Sequence, residues 1–302
     1  MKIISFGSMN IDKVYQVENF VLPGETILAK GAQLNVGGKG LNQSVAASRA
    51  GISVLHAGAV GEDGDVLVSF LEQAGVDVSQ VLHLKEQSGV AIIEVEKSGR
   101  NRIIVYGGTN QMLTKKYIDQ VLKEHGESGD IVLLQYEVNL VPYIIQKAHE
   151  CGLKVAFNPS PIPADLDQIP LEYVDYFIVN EVEGAAIAGM QTEKPDYQQV
   201  LKTLSEKYPS AVIVLTLGSE GVLCKAQGTC YSHAIYKVKA VDTTAAGDTF
   251  CGYFLAGICE GKTIDQCLES ASAASAIAVS RAGAAPSIPD RDEVKKFIAE
   301  QK

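Results

Sequence analysis

The segment Gly37-Gly38-Lys39-Gly40-Leu41-Asn42 joins a strand-like run to a helix-like run at 41–50, which ends at Gly51. Glycines at such a turn let the backbone approach a ligand closely, and the start of a helix offers N–H groups that lack intrahelical partners. Lys39 and Asn42 add donors suited to hydroxyl or phosphate oxygens. The segment predicts a strand–turn–helix unit with a ligand at its turn, and a plain flexible turn is the alternative.

The same alternation of strands and helices continues along the chain. Short aliphatic or β-branched runs lie at 2–7, 53–60, 130–135, 153–157, 175–179 and 211–217. Segments with helical periodicity lie at 66–74, 141–151, 182–190, 198–207, 247–259 and 264–279, and a final helix follows Pro289. Buried runs separated by helices indicate a mostly parallel sheet with helices on both faces, which is the α/β class. We interpret residues 1–302 as one such domain.

Two pairs of segments interrupt this alternation. Residues 11–17 with 26–35, and 89–96 with 102–106, show the alternation of apolar and polar residues that is typical of strands. No helix separates the two members of either pair, so we expect a small antiparallel sheet that forms a lid from about 11–35 and 89–106. Such a sheet needs a partner or a ligand to cover its face. This predicts a homodimer that forms through the lid.

Composition excludes several classes of protein. Of 302 residues, 46% are apolar, so the chain can bury enough surface to fold. Lys and Arg number 26 against 36 Asp and Glu, for a net charge of −10, which argues against nucleic acid or anionic membranes as partners. The start MKIISFGSMN is typical of a strand rather than a signal peptide. No two of the six cysteines form a C-x-x-C motif, so we expect neither a disulfide framework nor a zinc site. We therefore expect a cytoplasmic protein.

A second turn, Asp242-Thr-Thr-Ala-Ala-Gly-Asp248, leads from a strand into a helix whose buried stripe includes Phe250 and Phe254. The start of that helix can hold the charge that develops on a transferring phosphoryl group. Asp248 lies in its first turn, where a carboxylate can accept a proton from an attacking hydroxyl. An acidic residue that is favoured only by the helix dipole is the alternative, but the bare small-residue turn favours the functional interpretation.

Polar residues at other strand ends allow two interpretations each. Asn10 and Asp12 are two apart on a strand, so they face the same way and could bind adjacent hydroxyls of a sugar, or simply face solvent. Asn180 and Glu183 have the spacing of a capping box, and they could also hold metal-bound water near a nucleotide. The two interpretations of this second pair are compatible.

Two loops remain. Thr216-Leu-Gly218-Ser-Glu-Gly221 connects two apolar strands as a hairpin turn, and its glycines could let the backbone approach a nucleotide. The small-residue loop that follows 264–279 is rich in carbonyls that, with Asp242, would suit a monovalent cation, although loops of this composition usually bind nothing.

Taken together, these segments resemble the ribokinase family of carbohydrate kinases over nearly the whole chain, in the family's order. The resemblance is carried by Gly7-Ser-Met-Asn10-Ile-Asp12, Pro23-Gly-Glu-Thr26, Gly37-Gly-Lys-Gly-Leu-Asn42-Gln, Gln135-Tyr-Glu137, Asn158-Pro-Ser-Pro161, Asn180-Glu-Val-Glu183, Thr216-Leu-Gly218-Ser-Glu-Gly221, Asp242-Thr-Thr-Ala-Ala-Gly-Asp248 and Gly283-Ala-Ala-Pro-Ser287. The Gly-Gly-Lys-Gly-x-Asn and Asp-Thr-x-x-Ala-Gly-Asp motifs are highly specific in combination. The fold that the resemblance implies is a Rossmann-like core with a β lid.

The resemblance also implies roles for individual residues. Asp248 is expected to be the catalytic base, with an anion hole formed by Ala245, Ala246 and Gly247. The expected sugar-binding residues, besides Asp248, are Asn10, Asp12, Gly38, Lys39, Asn42 and Glu137. The expected nucleotide-binding residues are Asn180, Thr216, Gly218, Gly221 and Gly247. The expected metal-site residues are Glu183 for Mg²⁺-bound water, and Asp242, Thr244, Ala278, Arg281, Gly283 and Ser287 for a monovalent cation.

The activity that the resemblance implies is transfer of phosphate from ATP to the 5-hydroxyl of D-ribose, with Mg²⁺ and with K⁺ as activator. Another kinase of the same family, acting on deoxyribose, a nucleoside or a hexose, is an alternative. A non-catalytic sugar- or nucleotide-binding regulator is a second, and the intact Asp248 turn argues against it. No G-x-G-x-x-G follows the first strand, which argues against a dehydrogenase. Ser272 stands where some relatives carry Asn or His near the adenine.

Overall fold

Strands and helices alternate through residues 1–190 and 196–301, the part of the chain that the computed structural model describes. The strands are β1 (Ile3–Phe6), β2 (Asn10–Val17), β3 (Gly31–Gly37), β4 (Val54–Val60), β5 (Asp77–His83), β6 (Gly89–Glu96), β7 (Asn101–Tyr106), β8 (Ile131–Gln135), β9 (Lys154–Asn158), β10 (Tyr176–Asn180), β11 (Val212–Thr216), β12 (Val222–Ala226) and β13 (Thr229–His233). The helices are α1 (Lys39–Arg49), α2 (Asp65–Gln73), α3 (Lys115–His125), α4 (Val141–Glu150), α5 (Glu181–Ala188), α6 (Tyr197–Lys207), α7 (Ala246–Cys259), α8 (Ile264–Val279) and α9 (Arg291–Glu300).

The main sheet has the strand order β13-β12-β11-β10-β9-β8-β1-β4-β5. Pairing is parallel from β5 to β11, and the hairpin strands β12 and β13 add an antiparallel edge. The predicted α/β fold and the hairpin after Thr216 are therefore confirmed. The sequence-based prediction did not include α3, β13 and β5; β5 is an edge strand that no complete apolar run marks.

Helices cover both faces of this sheet because successive strand residues point to opposite sides. Ile3 of β1 belongs to one buried cluster, with side chains of α1, α2, α7, α8 and α9. The next residue, Ile4, belongs to the other cluster, with side chains of α3, α4, α5 and α6. No helix within the described residues is both long and apolar enough to cross a membrane.

The predicted lid is a second sheet, with the order β3-β2-β6-β7. The β2–β3 and β6–β7 pairs are antiparallel, as expected, but the central β2–β6 pair is parallel. The reason lies in the main sheet: β1 and β5 run in the same direction, and each leads directly into the first strand of one lid hairpin. Strand β3 covers 31–37 rather than the predicted 26–35.

The first glycine-rich turn brings α1 against β1. A Cβ atom on Gly40 would lie 2.3 Å from the Gly7 Cα, so only glycine permits this approach. The N–H of Leu41 donates to the Ser8 carbonyl at 2.9 Å. The start of α1 is thereby held at the carboxyl end of β1, where ligands bind in open α/β sheets.

Candidate active site

The predicted site residues converge at the carboxyl ends of the parallel strands. Glu137 follows β8, Asn180 ends β10 and Thr216 ends β11, while Lys39 and Asp248 stand at the starts of α1 and α7. A cleft of about 200 Å³ is lined by residues of all these elements except the loop after β8. Two turns that are distant in the sequence therefore face each other across one site.

Asp248 is buried, with 7% of its surface exposed, and both of its oxygens accept hydrogen bonds from α1. Asn42 donates from Nδ2 to Oδ2 at 2.9 Å. Gln43 donates from Nε2 to Oδ1, also at 2.9 Å. Each carboxylate oxygen can accept more than one hydrogen bond, so Asp248 retains acceptor capacity toward the cleft.

Lys39 supplies the positive charge of the cleft. The Asp248 carboxylate raises the pKa of Lys39, burial opposes that rise, and Glu137 and Glu183 add to it. The ammonium group therefore stays charged among three carboxylates, where it can neutralise negative charge on a substrate.

Asn10 and Asp12 both lie on β2, where their spacing places them on one face. Both side chains are buried, so the alternative in which they face solvent is wrong. The Asp12 carboxylate lies against Gly37, where a Cβ atom would be 2.1 Å from Oδ2. Burial, and second the charge of Glu137, raise the pKa of Asp12 to about 7. Asn10 accepts a hydrogen bond from Asn110 Nδ2 at 2.8 Å, which fixes its amide.

Glu137 accepts hydrogen bonds at the start of α1 and from the segment after β1. Its Oε2 accepts a hydrogen bond from the Lys39 N–H at 3.0 Å and another from the Ser8 hydroxyl. Burial raises its pKa, while these hydrogen bonds and Lys39 lower it. Asn42 Oδ1, by contrast, is buried without a hydrogen-bond partner, so this predicted sugar-binding residue has a free acceptor.

The capping box predicted for Asn180 and Glu183 is present at the start of α5. Glu183 Oε2 accepts the Asn180 N–H at 3.0 Å. Both residues also line the cleft, together with Asn158 and Thr216. Burial raises the pKa of Glu183, and the Asn180 N–H opposes that rise. The two interpretations of this motif are thus compatible in the structure.

A second cavity of about 520 Å³ adjoins the cleft at the start of α7. Thr216, Ala246 and Gly247 line both cavities. Two more of the predicted nucleotide residues, Gly218 and Gly221, line this second cavity, whereas Asn180 lines only the cleft. The remaining walls are largely apolar and include Phe250 and Val279, and Ser272 also lines them. A flat, mostly apolar group joined to a polar one would fit this pair of cavities.

The turn before α7 is held in an unusual conformation. Ala245 has φ of 59°, in the left-handed region that residues other than glycine rarely adopt. Its carbonyl accepts the N–H and the hydroxyl of Thr249 at 2.8 and 2.7 Å. The Ala246 N–H donates to the Thr243 carbonyl at 3.3 Å. Ala245, Ala246 and Gly247, the residues of the predicted anion hole, all line the cleft at this helix start. First-turn N–H groups of a helix lack intrahelical acceptors, but the Ala246 N–H is already engaged, and the anion hole stays a prediction.

The predicted cation loop is only partly assembled around Asp242. This carboxylate accepts the Thr244 N–H at 2.9 Å and the Gly283 N–H at 3.0 Å. The Arg281 side chain forms an ion pair with Glu293 at 2.6 Å. The Ala278 carbonyl accepts the Arg281 N–H at 3.0 Å, and the Ser287 hydroxyl donates to the Ala284 carbonyl at 2.8 Å. The Ala278 carbonyl thus accepts a hydrogen bond at the end of α8 and keeps a second lone pair. The assignment of these residues to a cation stays a prediction.

The structure adds residues to which the motifs gave no role. Gln43 contacts Asp248, Asn158 accepts a hydrogen bond from Gln43 at 2.9 Å, and Asn110 holds Asn10. Gln43 and Asn158 lie inside stretches that carry the family resemblance, so the sequence did indicate that these positions could be functional. Asn110 lies in a short 3-10 helix, and its sequence neighbours gave none.

A family model described as pfkB family carbohydrate kinase matches residues 1–291. The chain is 38% identical over 311 residues to ribokinase of Schizosaccharomyces pombe, covering 97% of this chain and 96% of that protein. It is 35% identical over 299 residues to ribokinase of Haemophilus influenzae, with coverage of 97% and 96%. A solved structure of Arabidopsis thaliana ribokinase complexed with ribose and ATP has a TM-score of 0.85 and 30% identity over 98% of both chains.

The fold is shared with solved ribokinase structures, and the chain belongs to the pfkB family of carbohydrate kinases. It is a phosphotransferase with an alcohol group as acceptor. The family that the motifs predict is thereby confirmed.

Proposed function

We propose that this enzyme transfers the γ-phosphoryl group of ATP to the 5-hydroxyl of D-ribose. The observation that carries the proposal is the position of Asp248: it lines the cleft together with Lys39, it accepts a hydrogen bond from Asn42, and its helix begins where the cleft meets the second cavity. The ribokinase relatives, and the relative complexed with ribose and ATP, support this choice of substrates.

On the sugar side, four polar groups offer complementary hydrogen-bonding atoms: the Asp12 carboxylate, the Asn10 amide, the Asn42 Oδ1 and the Lys39 ammonium. A cluster of adjacent hydroxyls needs both donors and acceptors, and these groups supply both. The 5-hydroxyl would lie against Asp248, which accepts its proton as the oxygen attacks the γ-phosphorus.

On the nucleotide side, the start of α7 and Lys39 would stabilise the charge on the transferring phosphoryl group. The triphosphate would occupy the cleft near Asn180 and Thr216, and the base would occupy the apolar cavity beside Ser272. The lid would close over the sugar and exclude water, which would otherwise take the place of the sugar hydroxyl.

Mg²⁺ would be held mainly by the phosphates and by water, with Glu183 binding that water. Within the described residues, no group of three or more His, Cys, Asp or Glu side chains could hold a metal by itself. Glu183 is a hard oxygen donor at the cleft and suits a cation that keeps several of its waters. When bound, Mg²⁺ would neutralise charge on the β- and γ-phosphates.

K⁺ would bind near Asp242 and the loop around Gly283, because carboxylate and carbonyl oxygens suit this ion. The support is that Asp242 already joins both segments through its two oxygens. An ion at this position would stabilise the turn that begins α7.

We also propose a homodimer through the lid in the cytoplasm. Leu34, Ile92 and Ile104 stand in one row across the lid, on the sheet face opposite to Asp12, and Lys13 of β2 lies between Leu34 and Ile92 in that row. The exposed fractions of the three apolar residues are 72, 40 and 68%, and such a row is a surface that a second copy would cover.

Phosphate transfer from ATP to D-ribose tests the proposal, with the phosphorylated position assigned by NMR. The same assay on deoxyribose, adenosine and fructose 6-phosphate compares the alternatives within the family. Highest kcat/KM for D-ribose, with product at the 5-position, is expected. Higher kcat/KM for another acceptor would contradict the ribose assignment, and no transfer to any acceptor would contradict kinase activity itself.

A further inference from the structure

Gln43 is a buried amide that the proposed reaction leaves without a role. It follows Asn42 in α1 and is fully buried. Its Nε2 donates to Asp248 Oδ1 at 2.9 Å and to Asn158 Oδ1 at 2.9 Å. A glutamine at this depth makes its hydrogen bonds inside the protein, and one of them is made to the expected catalytic base.

The direction of the Gln43 amide is fixed from its other end. Gln135, at the end of β8, donates from Nε2 to Gln43 Oε1 at 2.7 Å. The thiol of Cys251, in α7, donates to the same oxygen at 3.5 Å. Two donors at Oε1 require the NH₂ group to face Asp248, because a reversed amide would place its oxygen against a carboxylate oxygen.

Two donors from α1 therefore hold the carboxylate, one on each oxygen: Asn42 on Oδ2 and Gln43 on Oδ1. The charged or titratable groups facing this carboxylate are Lys39, Glu137, Glu183 and Cys251. Two of these groups are carboxyl groups, so a third one buried beside them needs hydrogen-bond donors.

We propose that Gln43 is a positioning residue: it orients the Asp248 carboxylate so that a free oxygen lone pair meets the sugar hydroxyl. The proposal rests on the proposed function, in which Asp248 accepts the proton. Gln43 touches neither sugar nor nucleotide in this assignment, so its loss should act on the rate of proton removal rather than on substrate affinity.

The test is Gln43→Met, which keeps the length and burial of the side chain and removes both hydrogen-bonding groups. Ser44→Ala is the matched control, since it removes one buried hydrogen bond of the next α1 residue, the 2.8 Å contact with His56, and does not contact Asp248. We expect Gln43→Met to lower kcat about tenfold to a hundredfold, with KM for both substrates within about threefold. The acid limb of its kcat–pH profile should move to higher pH, and Ser44→Ala should leave that limb in place.

Gln43→Glu is the second variant, because it is isosteric and places a carboxylate next to Asp248. It should move the acid limb further than Gln43→Met does, since two adjacent carboxylates share a proton. If Gln43→Met does not fold, the acid limb of Gln43→Glu alone tests the positioning role. An unchanged acid limb, or a loss of kcat equal to that in Ser44→Ala, would overturn the positioning role. Wild-type protein without phosphate transfer would instead contradict the proposed function, so the two failures are distinguishable.

Discussion

Asn42 Nδ2 and Asp248 Oδ2 form a 2.9 Å hydrogen bond between residues that are 206 positions apart in the sequence. This contact joins the start of α1 to the start of α7, the two turns with the most specific motifs. With the amide nitrogen bound to Asp248, the amide oxygen, Asn42 Oδ1, is buried and has no hydrogen-bond partner. Because a buried acceptor without a partner costs free energy, a ligand hydroxyl that satisfies it gains affinity.

Sugar binding should release protons near pH 7. The pKa of Asp12 in the ligand-free protein is raised to about 7, and sugar hydroxyls that donate to its carboxylate would lower it. Affinity should therefore weaken as pH falls below 7, and the binding enthalpy at pH 7 should depend on the ionisation heat of the buffer. Calorimetry in two buffers measures this. Asp12→Asn should bind weakly at every pH, and a buffer-independent enthalpy in the wild type would contradict the role of Asp12.

His56 should make folding less stable in acid. Burial lowers its pKa to about 4 from the ordinary 6.5, so the unfolded chain binds more protons between these values. Stability should be lost as pH falls from 6.5 toward 4, by up to about 3 kcal/mol relative to His56→Gln. Urea unfolding of both proteins across this range measures the difference. The matched control is His83→Gln, at a half-exposed histidine, and an equal pH dependence of wild type and His56→Gln would argue against burial of a neutral imidazole.

Ile104→Lys should convert the dimer to a monomer. Ile104 lies opposite Ile92 on β7, an edge strand of the lid, and a charge placed in a symmetric contact appears twice. Sedimentation at micromolar concentration measures the mass of each protein. Ile162→Lys is the control, because Ile162 is 41% exposed and lies outside the lid. A monomeric wild type would be evidence against the lid as an interface.

Activity should rise when K⁺ replaces tetramethylammonium at equal ionic strength. Asp242 joins its own turn to the Gly283 loop, so an ion that orders both also orders the start of α7, where Asp248 lies six residues after Asp242. Asp242→Ala should abolish the difference between the two salts. Steady-state rates in each salt measure the effect, and equal wild-type rates would remove the cation site from the mechanism.

The sequence predicts most strands of the main sheet, the two turns at 37–42 and 242–248, and the place of Asp248 in the first turn of a helix. These features depend on local composition and spacing. The parallel pairing of β2 with β6 could not be predicted in this way, because it follows from the direction of strands elsewhere in the chain. The Gln43–Asp248 contact spans 205 positions and the Asn110–Asn10 contact spans 100. Such contacts depend on tertiary packing, which no local pattern encodes.

Single-turnover and steady-state kinetics of Asp248→Asn test the central claim most directly. The amide is nearly isosteric and can still form hydrogen bonds, but it cannot accept the hydroxyl proton. General-base contributions are typically about 10²–10⁴-fold, so kcat should fall by at least about a hundredfold. Affinities for D-ribose and ATP should change little, with thermal melting confirming the fold. A folded variant with near wild-type kcat would contradict the account of Asp248 as the base.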